Sequence, residues 1–456
     1  MNILYVVHYF LPGHQAGTEI YTSLLARRFK EEGHRVSVLT SEDGPPQGES
    51  PQVVSDNWND IPVYRLYQQG PRDFVESYID ERTDRVFDDL LSEIKPDVVH
   101  FQHTFRLSAG MIQRAKSYGA AVLVTLADYW FICPPILLLQ PGNVLCPGPE
   151  EERCARCGNA IGVLYSGKSE YTVLGKAYER MVRAAHSVKR TLPAPAVDRL
   201  RSWRQKRELS ADNSSFQKRL SMIRHRQETM REALNAADLV IAPSRFLMEK
   251  TVEAGAVGPG KIIHSDYGFD KRPFQSLRKK SGHAVRFGYI GTPVEHKGLH
   301  VAVEAMNSLK DMDAELLVYG DLGWFPAYAR RLRKMSRNPR TRFMGRFEHG
   351  NIAEVLSGLD AIIVPSLWYE NSPLTIHEAF MAGVPVIVSD MGGMKELLEN
   401  GGGRTFRTGD ASDLARVLRK PTADPTELTG LASSIPEVKS IEENASELME
   451  WYERFT

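Results

Sequence analysis

The sequence of this 456-residue chain predicts two successive α/β domains. Each is expected to be a parallel sheet with helices on both faces. Short runs of β-branched and aliphatic residues alternate with longer helical patterns, which is the rhythm of strand–helix–strand units. This rhythm stops at a polar, basic stretch, residues 271–282, and then starts again. The chain is also longer than a single hydrophobic core usually supports.

Each predicted strand is a short apolar run bounded by Pro, Asp or Gly. In the first half a helix is predicted over residues 18–30, because Ile20, Leu24 and Leu25 fall on one helical face. Two such sheets joined by a linker predict two Rossmann-like domains that face a cleft, with ligands beyond the carboxyl ends of the strands. The predicted strands are residues 3–7, 35–39, 97–101, 121–126 and 238–242, followed by 285–290, 314–319, 341–344, 361–364 and 384–388.

Other segments depart from this rhythm. Residues 128–160 are rich in Pro, Gly and Cys, and residues 160–235 have a helical pattern with an excess of Lys and Arg. Residues 441–455 carry a single apolar stripe, which is typical of a packed helix. We therefore expect a first domain over residues 1–268 that contains the Cys-rich loop and the helical insertion, a second domain over 269–438, and a terminal helix over 439–456.

The composition excludes a function driven by overall charge. The chain is 42% hydrophobic and 25% charged, which is ordinary for a folded globular protein, and it has 57 basic and 57 acidic residues. No net charge attracts it to nucleic acid or to a membrane surface. We also expect neither a signal peptide nor a spanning helix, because no basic start precedes a long apolar run. A cytoplasmic, reducing location is therefore the default expectation.

The most informative motif is residues 365–378, which follow a predicted buried strand and open a helix. It carries two carboxylates, Glu370 and Glu378, eight positions apart. The free N–H groups at the start of the helix, near Pro373, favour an anion. Glu370 can accept hydrogen bonds from sugar hydroxyls and Glu378 from a ribose diol. The alternative reading is a loop carboxylate and a first-turn helix charge.

Glycine turns follow a strand in both halves of the chain. Gly17 and Thr18 open the first helix, and a glycine there lets backbone N–H groups approach a phosphate, although a plain turn glycine is the alternative. Gly291 and Thr292 begin the second such turn, in which Lys297 is positioned to neutralise a diphosphate. A lone lysine is more commonly a solvated surface charge.

With these motifs in order along nearly the whole chain, the sequence resembles the family-4 retaining glycosyltransferases of the GT-B fold. The Glu-x7-Glu element lies inside WYENSPLTIHEAFMAGVPVI, and Gly17-Thr18-Glu19, residues 291–298 and Gly392-Gly393 stand at the matching places. The resemblance implies a terminal helix that packs back on the first domain. It also implies catalytic roles for Glu370 and Lys297 and donor contacts at Gly17, Thr18, Gly291, Thr292, Lys297, Asn371, Ser372, Pro373, Leu374 and Glu378.

The activity that the resemblance implies is hexosyl transfer with retention at the anomeric carbon. The donor would be a UDP- or GDP-type sugar, with its base near residues 343–347, and no catalytic metal is expected. The acceptor would be a glycan, a lipid-linked saccharide or a small molecule, in polysaccharide or glycoconjugate assembly. A sugar-nucleotide epimerase of the same fold is disfavoured by the Glu-x7-Glu element.

Two positions depart from the family pattern. Thr292 stands where the family often has Arg, and Ala127 stands where similar members carry a His that contacts the donor sugar. Because Ala cannot form a side-chain hydrogen bond, the alternative function is a catalytically impaired or inactivated nucleotide-sugar-binding protein. His103 ends the preceding strand and is a candidate catalytic group on the acceptor side, or else a strand-end histidine with a structural partner.

All the cysteines of the chain lie within one short segment. In a reducing compartment such clustering is typical of a metal site, and a Cys-x2-Cys pair with two further thiols suits a structural, tetrahedral Zn²⁺. An iron–sulfur cluster and four unliganded thiols are the alternatives. The residues are Cys133, Cys146, Cys154 and Cys157.

A basic stretch within the helical insertion indicates a second interaction. Leu200 and Trp203 lie among its charges, so contact with anionic phospholipid or a lipid-diphosphate acceptor at the inner membrane face is one hypothesis. A solvated helical hairpin is the other, and nucleic-acid binding is not expected. The basic residues are Arg183, Lys189, Arg190, Arg199, Arg201, Arg204, Lys206 and Arg207.

Overall fold

The computed structural model describes residues 1–42, 51–68, 73–157, 213–277 and 284–456. Within them, the first sheet contains β1 (Asn2–Val7), β2 (Arg35–Glu42), β3 (Gln52–Trp58), β4 (Ile61–Tyr67), β5 (Val98–Phe101) and β6 (Ala121–Thr125). A separate short hairpin follows, β7 (Leu139–Gln140) with β8 (Val144–Leu145). The first sheet is completed by β9 (Leu239–Ala242) and β10 (Ile262–His264).

The strands of this sheet are ordered β10-β9-β6-β5-β1-β2-β4-β3. All neighbours are parallel except β3 and β4, which form an antiparallel pair at one edge. Its helices are α1 (Gly17–Glu31), α2 (Glu81–Ile94), α3 (Gly110–Tyr118), α4 (Glu151–Arg156), α5 (Asn213–Ala236) and α6 (Arg245–Glu253).

The second sheet is parallel throughout. It contains β11 (Val285–Ile290), β12 (Ala314–Tyr319), β13 (Thr341–Gly345), β14 (Ala361–Val364), β15 (Val386–Ser389) and β16 (Gly403–Phe406), in the order β13-β12-β11-β14-β15-β16. Its helices are α7 (Leu299–Asn307), α8 (Pro326–Met335), α9 (Ile352–Ser357), α10 (Leu374–Met381), α11 (Gly392–Glu396), α12 (Ala411–Ala423) and α13 (Thr426–Ser433). Two parallel α/β sheets in sequence confirm the predicted fold class.

The last helix, α14 (Ile441–Phe455), has the predicted bounds and packs on the first domain. A capping box at its start pairs Ser440 with Glu443. Near its end the hydroxyl of Tyr452 lies 3.2 Å from the hydroxyl of Tyr5 and 2.7 Å from Nδ1 of His100. Burial lowers the pKa of His100 to about 3, so this contact is made by a neutral ring. The return of the terminal helix to the first sheet is thereby confirmed.

One predicted strand is shifted. The apolar pattern placed a strand at residues 384–388, whereas β15 covers Val386–Ser389. The N–H of Val384 instead donates to the carbonyl of Ala379 and closes the end of α10. Residues 158–212, which include the whole basic stretch and most of the helical insertion, lie outside the described residues, so the membrane hypothesis remains a prediction. In the part of the chain that is described, no helix has the length and apolarity that crossing a membrane requires.

Candidate active site

The starts of two helices, one from each domain, meet in the cleft. α1 begins at Gly17 and α10 begins at Leu374, and a methyl group added to Gly17 would lie 3.3 Å from the Leu374 side chain. The N-cap residues, Ala16 and Pro373, make no side-chain hydrogen bond to these helix starts. Each start therefore presents backbone N–H groups and the positive end of a helix dipole to the same place, which favours a bound anion.

Glu370 lies beside this point, in the loop between β14 and α10. Its Oε1 accepts hydrogen bonds from Lys297 Nζ at 2.7 Å, from Ser366 Oγ at 2.6 Å and from Trp368 Nε1 at 2.8 Å. Burial raises the pKa of Glu370, but the charge of Lys297 and these hydrogen bonds outweigh it and hold the pKa below its ordinary value. Glu370 is therefore a fixed, ionised hydrogen-bond acceptor.

Lys297 reaches Glu370 from the loop after β11, the loop that Gly291 and Thr292 begin. It ends a 3-10 turn, Glu295–Lys297, and its ammonium lies 5.2 Å from the centre of the Trp368 ring. Gly298 follows with φ of +69°, and a Cβ there would lie 1.8 Å from the carbonyl oxygen of Pro365. Only a glycine lets this turn approach the end of β14 so closely, and the approach brings Lys297 to Glu370.

The glycine pair noted in the sequence supports the same loop from behind. A Cβ on Gly393 would lie 1.5 Å from the carbonyl oxygen of Asn371, and the N–H of Gly393 donates to the carbonyl of Glu370 at 3.0 Å. The start of α11 is thus packed directly against the backbone that carries Glu370.

The side chains of Asn371 and Ser372 join the two domains. Asn371 donates its amide N–H to the carbonyls of Leu126 and Ala127, at 3.3 and 3.2 Å, and accepts a hydrogen bond from Ser244. Ser372 Oγ lies 2.7 Å from Asp266 of the first domain. Both side chains are thus bound within the protein, and the donor contacts predicted for these two residues stay a prediction.

Glu378, the second carboxylate of the motif, pairs with a histidine that sequence reasoning missed. Its Oε1 lies 2.7 Å from Nε2 of His349, and this hydrogen bond raises the pKa of His349. His349 opens a 3-10 turn just beyond the segment predicted to lie near the base, residues 343–347. Its position in that loop was the only signal that the sequence offered.

A buried polar cluster lies on the first-domain side of the cleft, next to Ala127. His103 Nε2 lies 3.0 Å from Asp128 Oδ2, and the ring of His8 lies 4.5 Å from that of His103. His8 Nε2 is in turn 3.6 Å from Glu19, whose pKa burial raises. His103 therefore has a carboxylate partner, whereas Ala127 has no polar side chain and its carbonyl accepts from Asn371. His8 and Glu19 were not predicted, because a lone strand-end His and a first-turn Glu carry no distinctive spacing.

The cysteines lie in the loop that follows this cluster. Cys133 and Cys146 are buried, Cys154 and Cys157 are half-buried, and no disulfide joins them. Burial raises the pKa of Cys133 to about 12, with smaller contributions in the same direction from the nearby thiols of Cys154 and Cys146. Within the described residues, no three His, Cys, Asp or Glu side chains are already gathered as a metal site.

Both domains match known glycosyltransferase models. Residues 16–153 match the model described as "Glycosyl transferase 4-like domain", and residues 273–438 match "Glycosyl transferases group 1". Together the two matches cover more than half of the chain. Over 197 residues the chain is also 29% identical to a glycogen synthase of Mycobacterium tuberculosis, an alignment that covers 41% of this chain and 46% of that protein. The chain thus spans about half the length of the curated relatives it matches.

Solved structures support the fold along the full chain. Sucrose-phosphate synthase from Thermosynechococcus elongatus superimposes with a TM-score of 0.65 at 17% identity, covering 99% of this chain and 98% of that one. HepE from Anabaena, in complex with UDP and glucose, does so with a TM-score of 0.61 at 15% identity and the same coverage. A two-sheet α/β chain that matches a glycosyltransferase model in each half has the GT-B fold. More specifically, the chain belongs to the family-4 glycosyltransferases, as its Glu-x7-Glu element indicated.

Proposed function

We propose that this chain is a retaining hexosyltransferase that moves a sugar from a nucleotide-diphosphate donor to an acceptor hydroxyl. The observation that carries the proposal is the meeting of two helix starts, at Gly17 and Leu374, beside the Lys297–Glu370 pair. Backbone N–H groups, the helix dipoles and the Lys297 ammonium together suit a diphosphate. The UDP complexes of HepE, a neighbour in fold, support a donor of this class.

In this proposal the two carboxylates of the motif hold the two ends of the donor. Glu370, ionised and fixed by three donors, accepts hydrogen bonds from hydroxyls of the transferred sugar. Glu378, beside His349, accepts from the ribose diol. Lys297, 2.7 Å from Glu370, would stabilise the negative charge that grows on the diphosphate as it leaves. Stabilising such charge is usually the largest catalytic contribution.

The proposed transfer proceeds on one face of the sugar. The bond between the anomeric carbon and the diphosphate oxygen breaks, and the acceptor oxygen forms its bond from the same side. The acceptor proton passes to the departing phosphate oxygen, so the step needs little help from a protein base. This route is compatible with Ala127, which cannot shuttle a proton. We further propose a glycan or lipid-linked acceptor in polysaccharide assembly, which the relation to a glycogen synthase supports.

Release of nucleoside diphosphate tests the proposal. UDP-glucose and GDP-mannose serve as donor probes, and Glu370→Gln is the matched variant that keeps the size of the side chain but removes its charge. We expect turnover of one probe by the natural sequence and its loss in Glu370→Gln. The alternative, a nucleotide-sugar-binding protein without transfer, rests on Ala127. It is favoured if the natural sequence binds a probe without releasing diphosphate while Ala127→His releases it.

A further inference from the structure

The four cysteines are held in one region of the fold by separate local contacts. Cys133 follows a turn in which its N–H donates to the carbonyl of Tyr129, and Cys146 follows the β7–β8 hairpin, where its N–H donates to Leu138. Cys154 lies in α4, and Cys157 ends that helix. The thiol of Cys146 donates to the carbonyl of Gly148, which also accepts a hydrogen bond from Arg153 of α4, so Cys146 lies beside the helix that carries Cys154.

A buried cation lies beside the turn that leads to Cys133. Arg226 of α5 is 1% exposed, and its guanidinium carbon lies 4.6 Å from the centre of the Trp130 ring. One of its nitrogens, Nη2, donates to the carbonyl of Trp130, but Nε and Nη1 have no hydrogen-bond partner within the described part of the chain. The carbonyl that it binds belongs to the same turn in which the N–H of Cys133 donates to the carbonyl of Tyr129.

Asp128 cannot serve as a dedicated partner for this arginine. One of its oxygens lies 3.0 Å from His103 Nε2, and the other accepts from the N–H of Trp130 at 2.7 Å. A guanidinium withdrawn from water without an anionic partner is costly, so Arg226 is stabilised by a ligand that brings negative charge to this place, and thiolates bound to a metal ion supply that charge.

We propose that Cys133, Cys146, Cys154 and Cys157 bind one Zn²⁺ as a tetrathiolate, and that Arg226 compensates the charge of the site. Four thiols lose four protons to the solvent as Zn²⁺ binds, which leaves a centre of charge 2− beside the single positive charge of Arg226. Four cysteine ligands fill a tetrahedral zinc, so the role is structural. Since the thiols are not gathered in the described arrangement, binding draws the half-buried Cys154 and Cys157 towards the buried pair.

The proposed zinc site lies in the same loop as residues that border the cleft. The same loop carries Asp128, the partner of His103, and Ala127, whose carbonyl accepts from Asn371 of the second domain. A zinc at its far end would fix the described residues 126–157, which follow β6. The site thereby lies next to the proposed catalytic cleft without contributing a group to it, and its existence does not depend on the proposed transfer activity.

Metal content of the whole chain tests the proposal without any donor or acceptor. The protein is purified through a tag that binds no metal, without chelators, and analysed by inductively coupled plasma mass spectrometry. We expect about one zinc per chain, released as a mercurial titrates the four thiols, and we expect its loss in the double variant Cys154→Ser/Cys157→Ser. The matched control is Glu152→Ser, an exposed position of the same helix that should keep the zinc.

Two further measurements protect the test against a variant that does not fold. Cobalt substituted for zinc in the natural sequence should show the visible d–d bands of tetrahedral thiolate coordination. Arg226→Leu should lose zinc to a chelator at a lower concentration than Arg226→Lys, which keeps the charge. A folded natural chain without zinc, a chain that carries iron and sulfide instead, or zinc retained in the double cysteine variant would each overturn the proposal.

Discussion

The amino group of Lys297 lies 2.7 Å from Oε1 of Glu370, and this ion pair joins the loop after β11 to the loop after β14. The carboxylate is almost fully buried, whereas the lysine is about one-third exposed. The group proposed to neutralise the diphosphate and the group proposed to hold the sugar are therefore electrostatically linked before any chemistry takes place.

The first prediction separates the catalytic and the structural effects of this pair. Lys297→Met leaves the buried Glu370 without its cation, so we expect a stability loss of about 1–2 kcal/mol, less than for a fully buried pair because the lysine is partly exposed. We also expect kcat to fall by roughly 10²–10³, as for the loss of one preorganised charge-stabilising group. Urea unfolding and diphosphate release measure the two effects.

The double variant Lys297→Met/Glu370→Gln serves as the control for this pair. Because it removes both charges, much of the lost stability should return while turnover stays low. If the stability losses of Lys297→Met and Glu370→Gln simply add in the double variant, the two side chains are not coupled. Full turnover in Lys297→Met would contradict the catalytic role.

The second prediction concerns the close approach behind Glu370. Gly393→Ala places a methyl group 1.5 Å from the carbonyl oxygen of Asn371, so the loop that carries Glu370 must move. We expect a destabilised chain with a raised KM for the donor. Gly430→Ala, in α13, is the matched control, because no atom lies within 4 Å of its added methyl group.

In the control the effect has the opposite sign. Alanine in a helix is favoured over glycine by about 1 kcal/mol, so Gly430→Ala should raise the melting temperature and leave KM unchanged. Similar melting temperatures and KM values for the two variants would contradict the packing argument.

The third prediction is a pH dependence at the proposed ribose end of the site. The hydrogen bond from Glu378 raises the pKa of His349 above its ordinary value. The stability that this pair contributes is fully present below the pKa of an unfolded histidine, about 6.5, and is lost as pH rises through the raised value. We expect the pair to contribute at most about 1 kcal/mol to the free energy of unfolding, since His349 is partly exposed.

The measurement compares urea unfolding of the natural sequence with that of His349→Gln over this pH range. The difference in stability between the two should be largest at the acid end and should shrink as pH increases. A difference that is constant, or that grows with pH, would show that the two side chains are not paired through charge.

The fourth prediction concerns the burial of His100 under the terminal helix. Burial lowers its pKa to about 3, so the folded chain binds this proton far less readily than the unfolded chain does. Because protonation of His100 favours the unfolded chain, the free energy of unfolding falls progressively as pH decreases from about 6.5 towards 3. His100→Gln, which cannot acquire the charge, should show a shallower loss of stability over that range in acid-unfolding curves, and an equal slope would contradict the assignment.

Much of the fold followed from hydrophobic patterning, because buried parallel strands are apolar on both faces. The strands Val285–Ile290, Ala314–Tyr319 and Ala361–Val364 have the bounds that the sequence predicted. The edge strand Gln52–Trp58 was missed, since it carries Ser55, Asp56 and Asn57 on exposed backbone and has no apolar run. Edge strands need fewer apolar residues than central ones, and their pattern is correspondingly weak.

The site was predictable where a motif fixes local geometry and not where distant segments meet. Glu370 and Glu378 share one loop and helix, so the sequence already placed them together, and the family resemblance favoured a functional reading over a chance pair of carboxylates. His349, His8 and Arg226 have partners far along the chain, which only the tertiary structure brings together. The pairing of Asn371 with the first domain was unforeseen for the same reason.

A crystal structure with a bound nucleoside diphosphate, UDP or GDP, would show whether the two helix starts form the donor site. We expect phosphate oxygens within hydrogen-bonding distance of backbone N–H groups at the starts of α1 and α10, and of Lys297 Nζ. In solution, the same ligand at 100 times its Kd should stabilise the chain by about 2.7 kcal/mol. Phosphates bound elsewhere on the chain, or a folded chain that binds neither nucleotide, would contradict the account.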